Sequence, residues 1–170
     1  LPICNVLDLF DMVMLENGAV SYCPQTGTDQ LIAPAVDQRF LADLERELPG
    51  APLFIGRSMV ATSARNAERI EMVIQRGGYD LHTVGCGGRV LVLPMAVSKG
   101  SGLSHALAEL GLHRDQVIAV GDEENDIDLF EGCGLRAAVG NASPRLKAAA
   151  DIALPGGCEA SIRHLAELVL

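Results

Sequence analysis

The sequence predicts an α/β protein: a doubly wound core with a small α+β lobe set into it. Two observations carry that expectation. From residue 99 onward, short apolar runs alternate with helical segments in a β-α-β-α rhythm, and the run at 117–120 is continuously apolar, as a parallel strand is when helices cover both its faces. Residues 20–94 have a different grain, with paired strand-like runs, turn-rich joints and two helical segments.

Taken in order, residues 12–15 form an apolar strand, and 20–22 pair with 30–33 across the turn-rich Pro24-Gln25-Thr26-Gly27-Thr28. A helix over 36–48 leads to strands at 53–55 and 59–62, and a second helix over about 65–76 ends at Gly77-Gly78. Residues 81–84 and 90–93 read as a hairpin joined by Gly85-Cys86-Gly87-Gly88. In the second half, Leu103, Leu107 and Leu110 recur at helical spacing after Lys99 and stop at Gly111, where a left-handed cap is expected. The strand at 117–120 runs into Gly121-Asp122, followed by a helix over 124–131 and a strand over 135–139. Ser143-Pro144 supplies an N-cap and a proline at the first helical position for a helix reaching Ala150. A strand at 152–154 and a helix from about 159 close the chain.

Composition narrows the function classes. With 170 residues, 49% hydrophobic, 13 Lys+Arg against 22 Asp+Glu and a net charge of -9, the chain forms a core and is not intrinsically disordered. An acidic surface with 4 Phe, 2 Tyr and no Trp lacks the basic, stacking-rich character of nucleic-acid binders and does not suit an anionic membrane. The longest apolar run, at 90–97, contains a proline and falls far short of the roughly 20 residues that span a bilayer. Asp8 and Asp11 interrupt the first apolar stretch and no basic residue precedes it, so no signal peptide is expected, and a cytoplasmic location is. Five scattered cysteines without a C-x-x-C pair predict reduced, mostly buried thiols rather than disulfides or zinc. The four histidines have no metal spacing, and Asn141-Ala142-Ser143 matches a glycosylation sequon that is idle in such a compartment.

The sharpest chemical signal is Gly121-Asp122-Glu123-Glu124-Asn125-Asp126, directly after an apolar strand. Ligands of open α/β sheets sit beyond the carboxyl ends of strands, and Mg²⁺ binds through oxygen ligands, usually one or two carboxylates plus substrate phosphate. Asp122 is then the direct ligand, with Glu123 or Asp126 orienting it or a bound water. The same acids also suit plain capping of the helix that follows. A calcium loop starting at Asp122 fails because Ile127, not glycine, holds its sixth position. Lys99 is the second candidate: a lysine at a helix start opposes the macrodipole unless it neutralises a phosphate or a carboxylate. In an acidic chain one of Arg57, Arg65 and Arg89 could meet an anionic substrate, although ordinary surface arginines are the favoured reading.

Val97-Ser98-Lys99-Gly100, the segment Gly121-Asp122-x-x-Asn125-Asp126, Val139-Gly140-Asn141-Ala142 and Lys147-x-x-Ala150-Asp151 together resemble the C-terminal motifs of the haloacid dehalogenase superfamily. Glu16-Asn17-Gly18-Ala19 after an apolar strand, with a lobe before the lysine, resembles its subfamily with type IIB caps, which includes sugar-phosphate and mannosyl-3-phosphoglycerate phosphatases. The resemblance implies a Rossmann-like core of residues 1–19 and 95–170 with an α+β cap over 20–94. It further implies Mg²⁺-dependent hydrolysis of a small phosphorylated sugar or acid through an aspartyl-phosphate, with transfer to another sugar hydroxyl as the phosphomutase variant. Lys99, Asp122, Asn125 and Asp126 take the catalytic positions; Asp122, Glu123 and Asp126 the metal positions; Asn17, Gly18 and Arg57 the substrate positions.

One departure is large. The family's Asp-x-Asp-Gly-Thr nucleophile motif is nowhere in these residues, and Thr26-Gly27, in a hairpin turn, does not replace its second motif. The first two core strands are therefore expected to be absent, with Leu1 entering just before the third. The 170 residues alone are expected to be inactive, and an upstream segment or a second copy to complete the sheet. The other reading is a non-catalytic remnant that binds a metal or phospholigand or serves as an interaction module.

Overall fold

The computed structural model describes residues 2–169, with side chains from 6 to 168, so the expectation for Leu1 and the environment of the Cys4 thiol lie outside the described residues. The chain divides into two compact units, Leu1–Ser98 and Lys99–Leu170.

In the first unit, β1 (Val13–Leu15) pairs antiparallel with β2 (Val20–Cys23), which pairs in turn with β3 (Thr28–Leu31). The β1–β2 turn carries Glu16 and Asn17 at φ 50° and 58°, a left-handed conformation that asparagine tolerates but that costs a residue such as Glu16 about 1–2 kcal/mol. The third strand starts two residues earlier than expected. The reason is the tight turn: Gly27 sits at φ 65° and the Thr26 and Thr28 hydroxyls hydrogen-bond at 2.6 Å, so pairing extends to Cys23 opposite Thr28.

The rest of this unit is an antiparallel sheet of β4 (Phe54–Ile55), β5 (Val60–Ser63), β6 (Leu81–Cys86) and β7 (Arg89–Pro94), in the order β4-β5-β7-β6. Helices α1 (Gln38–Glu47) and α2 (Ala67–Gly77) share one core with it, built from Phe40, Leu41, Leu44, Ile70, Val73, Val60, Val90 and Val92. Asp37 caps α1 by accepting from the Arg39 amide at 2.7 Å. Arg39 then donates through Nη2 to the Gly77 carbonyl at 2.8 Å and through Nε to the Tyr79 hydroxyl at 3.1 Å, which fastens the start of α1 to the end of α2. The β6–β7 turn is only Gly87-Gly88. Both take positive φ, 52° and 76°, as a primed hairpin turn demands, and Gly85 and Cys86 therefore continue the ladder instead of forming the expected four-residue loop.

The second unit is α/β in the class the sequence predicts. Strands β8 (Ile118–Gly121), β9 (Leu135–Ala138) and β10 (Ile152–Ala153) form a parallel sheet in the order β10-β9-β8. Helices α3 (Lys99–Leu110), α4 (Ile127–Glu131), α5 (Pro144–Ala149) and α6 (Cys158–Val169) alternate with them. Ala119, Phe130, Cys133, Ala138, Val139 and Leu146 make the core. The Ser143 hydroxyl accepts from the Leu146 amide at 3.2 Å and Pro144 opens α5, as the Ser-Pro pair predicts. The expectation of mostly buried thiols is corrected: Cys133 is buried, but Cys86 and Cys158 are exposed because each lies at the end of an element.

Arg136 on β9 grips Asp151, just before β10, through its amide at 2.9 Å, Nε at 3.0 Å and Nη2 at 2.5 Å. The guanidinium and the amide hold this carboxyl at about 2. A folded-state value below the ordinary carboxylate value of about 3.9 means the stabilisation is fully present above that value and is lost as pH falls through about 2. Thermal midpoints measured from pH 5 to pH 2 are expected to fall more steeply for the wild type than for Asp151→Asn.

Candidate active site

The site forms where β8 ends. Past Gly121 the chain turns through Asp122 and Glu123 into a 3-10 turn, Glu124–Asp126, before α4 begins. That turn, where a continuous helix over 124–131 was expected, brings the Asp126 carboxylate back toward the strand end. Its Oδ2 accepts from the amides of Asp122 at 3.0 Å and Glu123 at 3.2 Å. Gly121 makes the approach possible, since a Cβ there would lie 2.5 Å from the Asp126 Cβ.

Lys99, the first residue of α3, donates from Nζ to Asp126 Oδ1 at 2.5 Å. Gly100 lets α3 start this close: a Cβ on it would lie 2.5 Å from the Asp128 carbonyl oxygen. The Asp126 side chain is 6% exposed and that of Lys99 32%. Burial alone pushes the Asp126 carboxyl up, but the Lys99 ammonium and the two amides outweigh it and hold it below its ordinary value. The pair is thus charged, with Lys99 retaining two further N–H donors.

Asp122 itself is exposed. Its backbone does structural work, the amide donating to Asp126 and the carbonyl accepting from the Ser143 amide at 2.9 Å. Its carboxylate has no hydrogen-bond or ion-pair partner among the described residues. Asn125 Oδ1 is buried and has no hydrogen-bond partner, a rare state that calls for a ligand or water. Glu123 is exposed, and Glu124 pairs with Arg145 at 3.1 Å.

No group of three or more His, Cys, Asp and Glu side chains among the described residues is arranged to hold a metal ion. A free carboxylate and an unpartnered amide oxygen are nevertheless the hard oxygen donors that fit Mg²⁺, which takes few protein ligands and completes its shell with water and phosphate. Asp126 has both oxygens engaged by protein donors, the geometry of a positioning group.

Asn17, Gly18 and Arg57 belong to the first unit. Gly18 is buried in the left-handed turn, Asn17 is half-buried, and Arg57 is exposed with its guanidinium paired to Asp29. Glu16 is the residue sequence reasoning missed. Its Oε1 and Oε2 accept from the amides of Arg57 and Ser58, each at 2.8 Å. Its only signal in the sequence is an acid placed beside the Asn-Gly turn.

A model of the haloacid dehalogenase-like hydrolases matches residues 86–164. Phosphoglycolate phosphatase of Halobacterium salinarum is 31% identical over 163 residues, an overlap that covers 89% of this chain and 70% of that protein. The chain belongs to the haloacid dehalogenase-like hydrolase family. Two solved structures share the fold: Thermoplasma acidophilum 0175 (TM-score 0.79, 14% identity, 99% of this chain and 78% of that one) and the subclass IIB sugar phosphatase BT4131 (0.75, 15%, 96% and 80%). Among the described residues no helix is long and apolar enough to cross a membrane.

Proposed function

We propose that this protein acts as a Mg²⁺-dependent phosphatase on the phosphate monoester of a small metabolite, a sugar or an acid, in the cytoplasm. The nucleophilic aspartate, which forms an aspartyl-phosphate, comes from outside these 170 residues. The observation that carries the reading is the charged Lys99–Asp126 pair beside the free Asp122 carboxylate and the unpartnered Asn125 oxygen, all at one strand end. Bound Mg²⁺ would neutralise charge on the phosphoryl oxygens. Asp122 and Asn125 would hold it, with Glu123 in reach of its water shell. Asp126 fixes Lys99, whose remaining N–H donors would be available to the nucleophile and the phosphoryl group, a fixed charge that would stabilise the transition state without reorganising. Asn17, Gly18 and Arg57 are the recognition residues of the same proposal, and its domain division is a core of 1–19 and 95–170 with a cap over 20–94. The name of the Halobacterium relative supports a phosphorylated acid as substrate.

The test is hydrolysis of p-nitrophenyl phosphate and phosphoglycolate by the full-length protein with Mg²⁺ and with EDTA. Turnover that EDTA abolishes and that the 170-residue piece lacks is the expected result. The absence of an Asp-x-Asp-Gly-Thr motif from these residues favours a second reading, a binding module. Inactive full-length protein that still binds Mg²⁺ or inorganic phosphate by calorimetry would establish it.

A further inference from the structure

We propose that Ser161 is a positioning residue for the metal end of the site, acting through the loop over 139–143 that holds the backbone of Asp122. Three observations converge on it. Among the described residues Ser161 is the only buried side chain of α6, so the helix docks on the sheet through a hydroxyl rather than an apolar face. A buried hydroxyl is costly unless it is bonded, and this one is bonded on both sides: it accepts from the Gly140 amide at 3.2 Å and donates to the Pro155 carbonyl at 3.0 Å. The same Gly140 peptide is gripped at its other end by Lys147 of α5, whose Nζ donates to the Gly140 carbonyl at 2.6 Å. Only glycine fits there, because a Cβ would run into the Gly156 carbonyl oxygen, so the turns after β9 and β10 lie backbone against backbone. The loop then ends on the candidate site. Val139 donates its amide to the Gly121 carbonyl at 3.1 Å, and Ser143 donates its amide to the Asp122 carbonyl at 2.9 Å.

The Asp122 carboxylate has no hydrogen-bond or ion-pair partner among the described residues, so what places it is its own backbone, and one of the two bonds on that backbone comes from this loop. Mg²⁺ demands near-ideal geometry from its few protein ligands, and a carboxylate on a loosened turn must be ordered at the cost of binding free energy. Outer partners of metal ligands are typically worth 10–100-fold in affinity. Ser161 stands one step farther out, so about tenfold, the low end, is the expected size. This consequence rests on the Mg²⁺ reading of the function proposed above; the tether itself does not.

The experiment uses the full-length protein with Ser161→Ala, with Ser161→Thr, which keeps the hydroxyl, and with Asp151→Asn, which loosens the same sheet at the opposite, amino ends of β9 and β10. In hydrogen exchange without metal, the Ser143 amide is expected to lose about tenfold of its protection in Ser161→Ala while the amides of β8 stay unchanged. In calorimetry with Mg²⁺, Ser161→Ala is expected to raise Kd about tenfold, and Ser161→Thr and Asp151→Asn to stay within about twofold of the wild type. Unchanged protection at Ser143 overturns the tether. An unchanged Mg²⁺ Kd in Ser161→Ala, or an equal rise in Asp151→Asn, overturns the positioning role, since lost stability alone would then account for the variant. A wild type that binds no Mg²⁺ overturns the metal reading and with it the consequence for Asp122, while exchange at Ser143 still decides the tether.

Discussion

Asp122→Asn is expected to cut phosphomonoester turnover by the full-length protein about a thousandfold while leaving the fold in place. A divalent cation held at a transferring phosphoryl group supplies several kcal/mol, and each 1.36 kcal/mol is tenfold in rate, so about three decades would depend on the Asp122 carboxylate, which has no partner among the described residues. The structural work at this position is done by the backbone, through the amide given to Asp126 and the carbonyl taken by Ser143. An exposed side chain with no partner contributes within about 0.5 kcal/mol of stability, so the melting temperature should move by no more than about 2 °C. Steady-state kinetics over a range of Mg²⁺ concentrations, paired with a thermal melt, checks both halves. A variant that keeps activity within about tenfold of wild type would remove Asp122 from the metal position.

Lys99→Met is expected to be both inactive and unstable, and the instability is the informative part. Removing Lys99 leaves the Asp126 carboxylate buried with only its two amides. Breaking a fully buried ion pair costs about 3–5 kcal/mol, and because Lys99 is partly exposed the lower end, about 3 kcal/mol, is the fitting figure. For a chain of this size that is about 6–12 °C in melting temperature. The sign of the pH dependence follows from Asp126. In the wild type its carboxyl lies below the ordinary value, so the pair stabilises above the ordinary carboxylate range and the benefit is lost as pH falls through the lowered value. Without Lys99 the strongest cause that lowers the carboxyl is gone and burial still opposes its charge, so the carboxyl rises from its wild-type value and acid is expected to neutralise the stranded charge. The stability gap between the two proteins should therefore narrow as pH drops, and Lys99→Met/Asp126→Asn should regain part of the loss. Denaturant melts between pH 4 and pH 8 measure this; a gap constant in pH would contradict it.

Much of this architecture is legible in the residues because the deciding interactions are local. Continuous apolar residues ending in Gly121-Asp122 gave a strand, buried at alternate residues, with a carboxylate at its tip, and Ser143-Pro144 gave a helix start, since strand pairing and capping act over a few residues. The pairing of Lys99 with Asp126 could not be derived from spacing. It depends on Gly100 meeting the Asp128 carbonyl, a contact between two helices, and only the family resemblance put the two residues in one site. The 3-10 turn at Glu124–Asp126 escaped for a related reason: an aspartate side chain that takes backbone amides competes with regular helix, and composition does not say which will win. Glu16 left almost no trace, because its partners are amides of residues 57 and 58 and any residue type at those positions carries an amide.

Gly121 has a consequence for how this site can change over time. The hydrogen atom it carries in place of a side chain is the space in which the Asp126 Cβ sits, 2.5 Å from where a methyl carbon would be. Position 121 is therefore constrained in descent: any side chain there is tolerated only after residue 126 has moved, so single-step exploration of that position is closed. A redesign that puts a side chain at the end of β8 must begin by moving residue 126, and natural variants of the chain should keep glycine at 121 unless 126 changes with it.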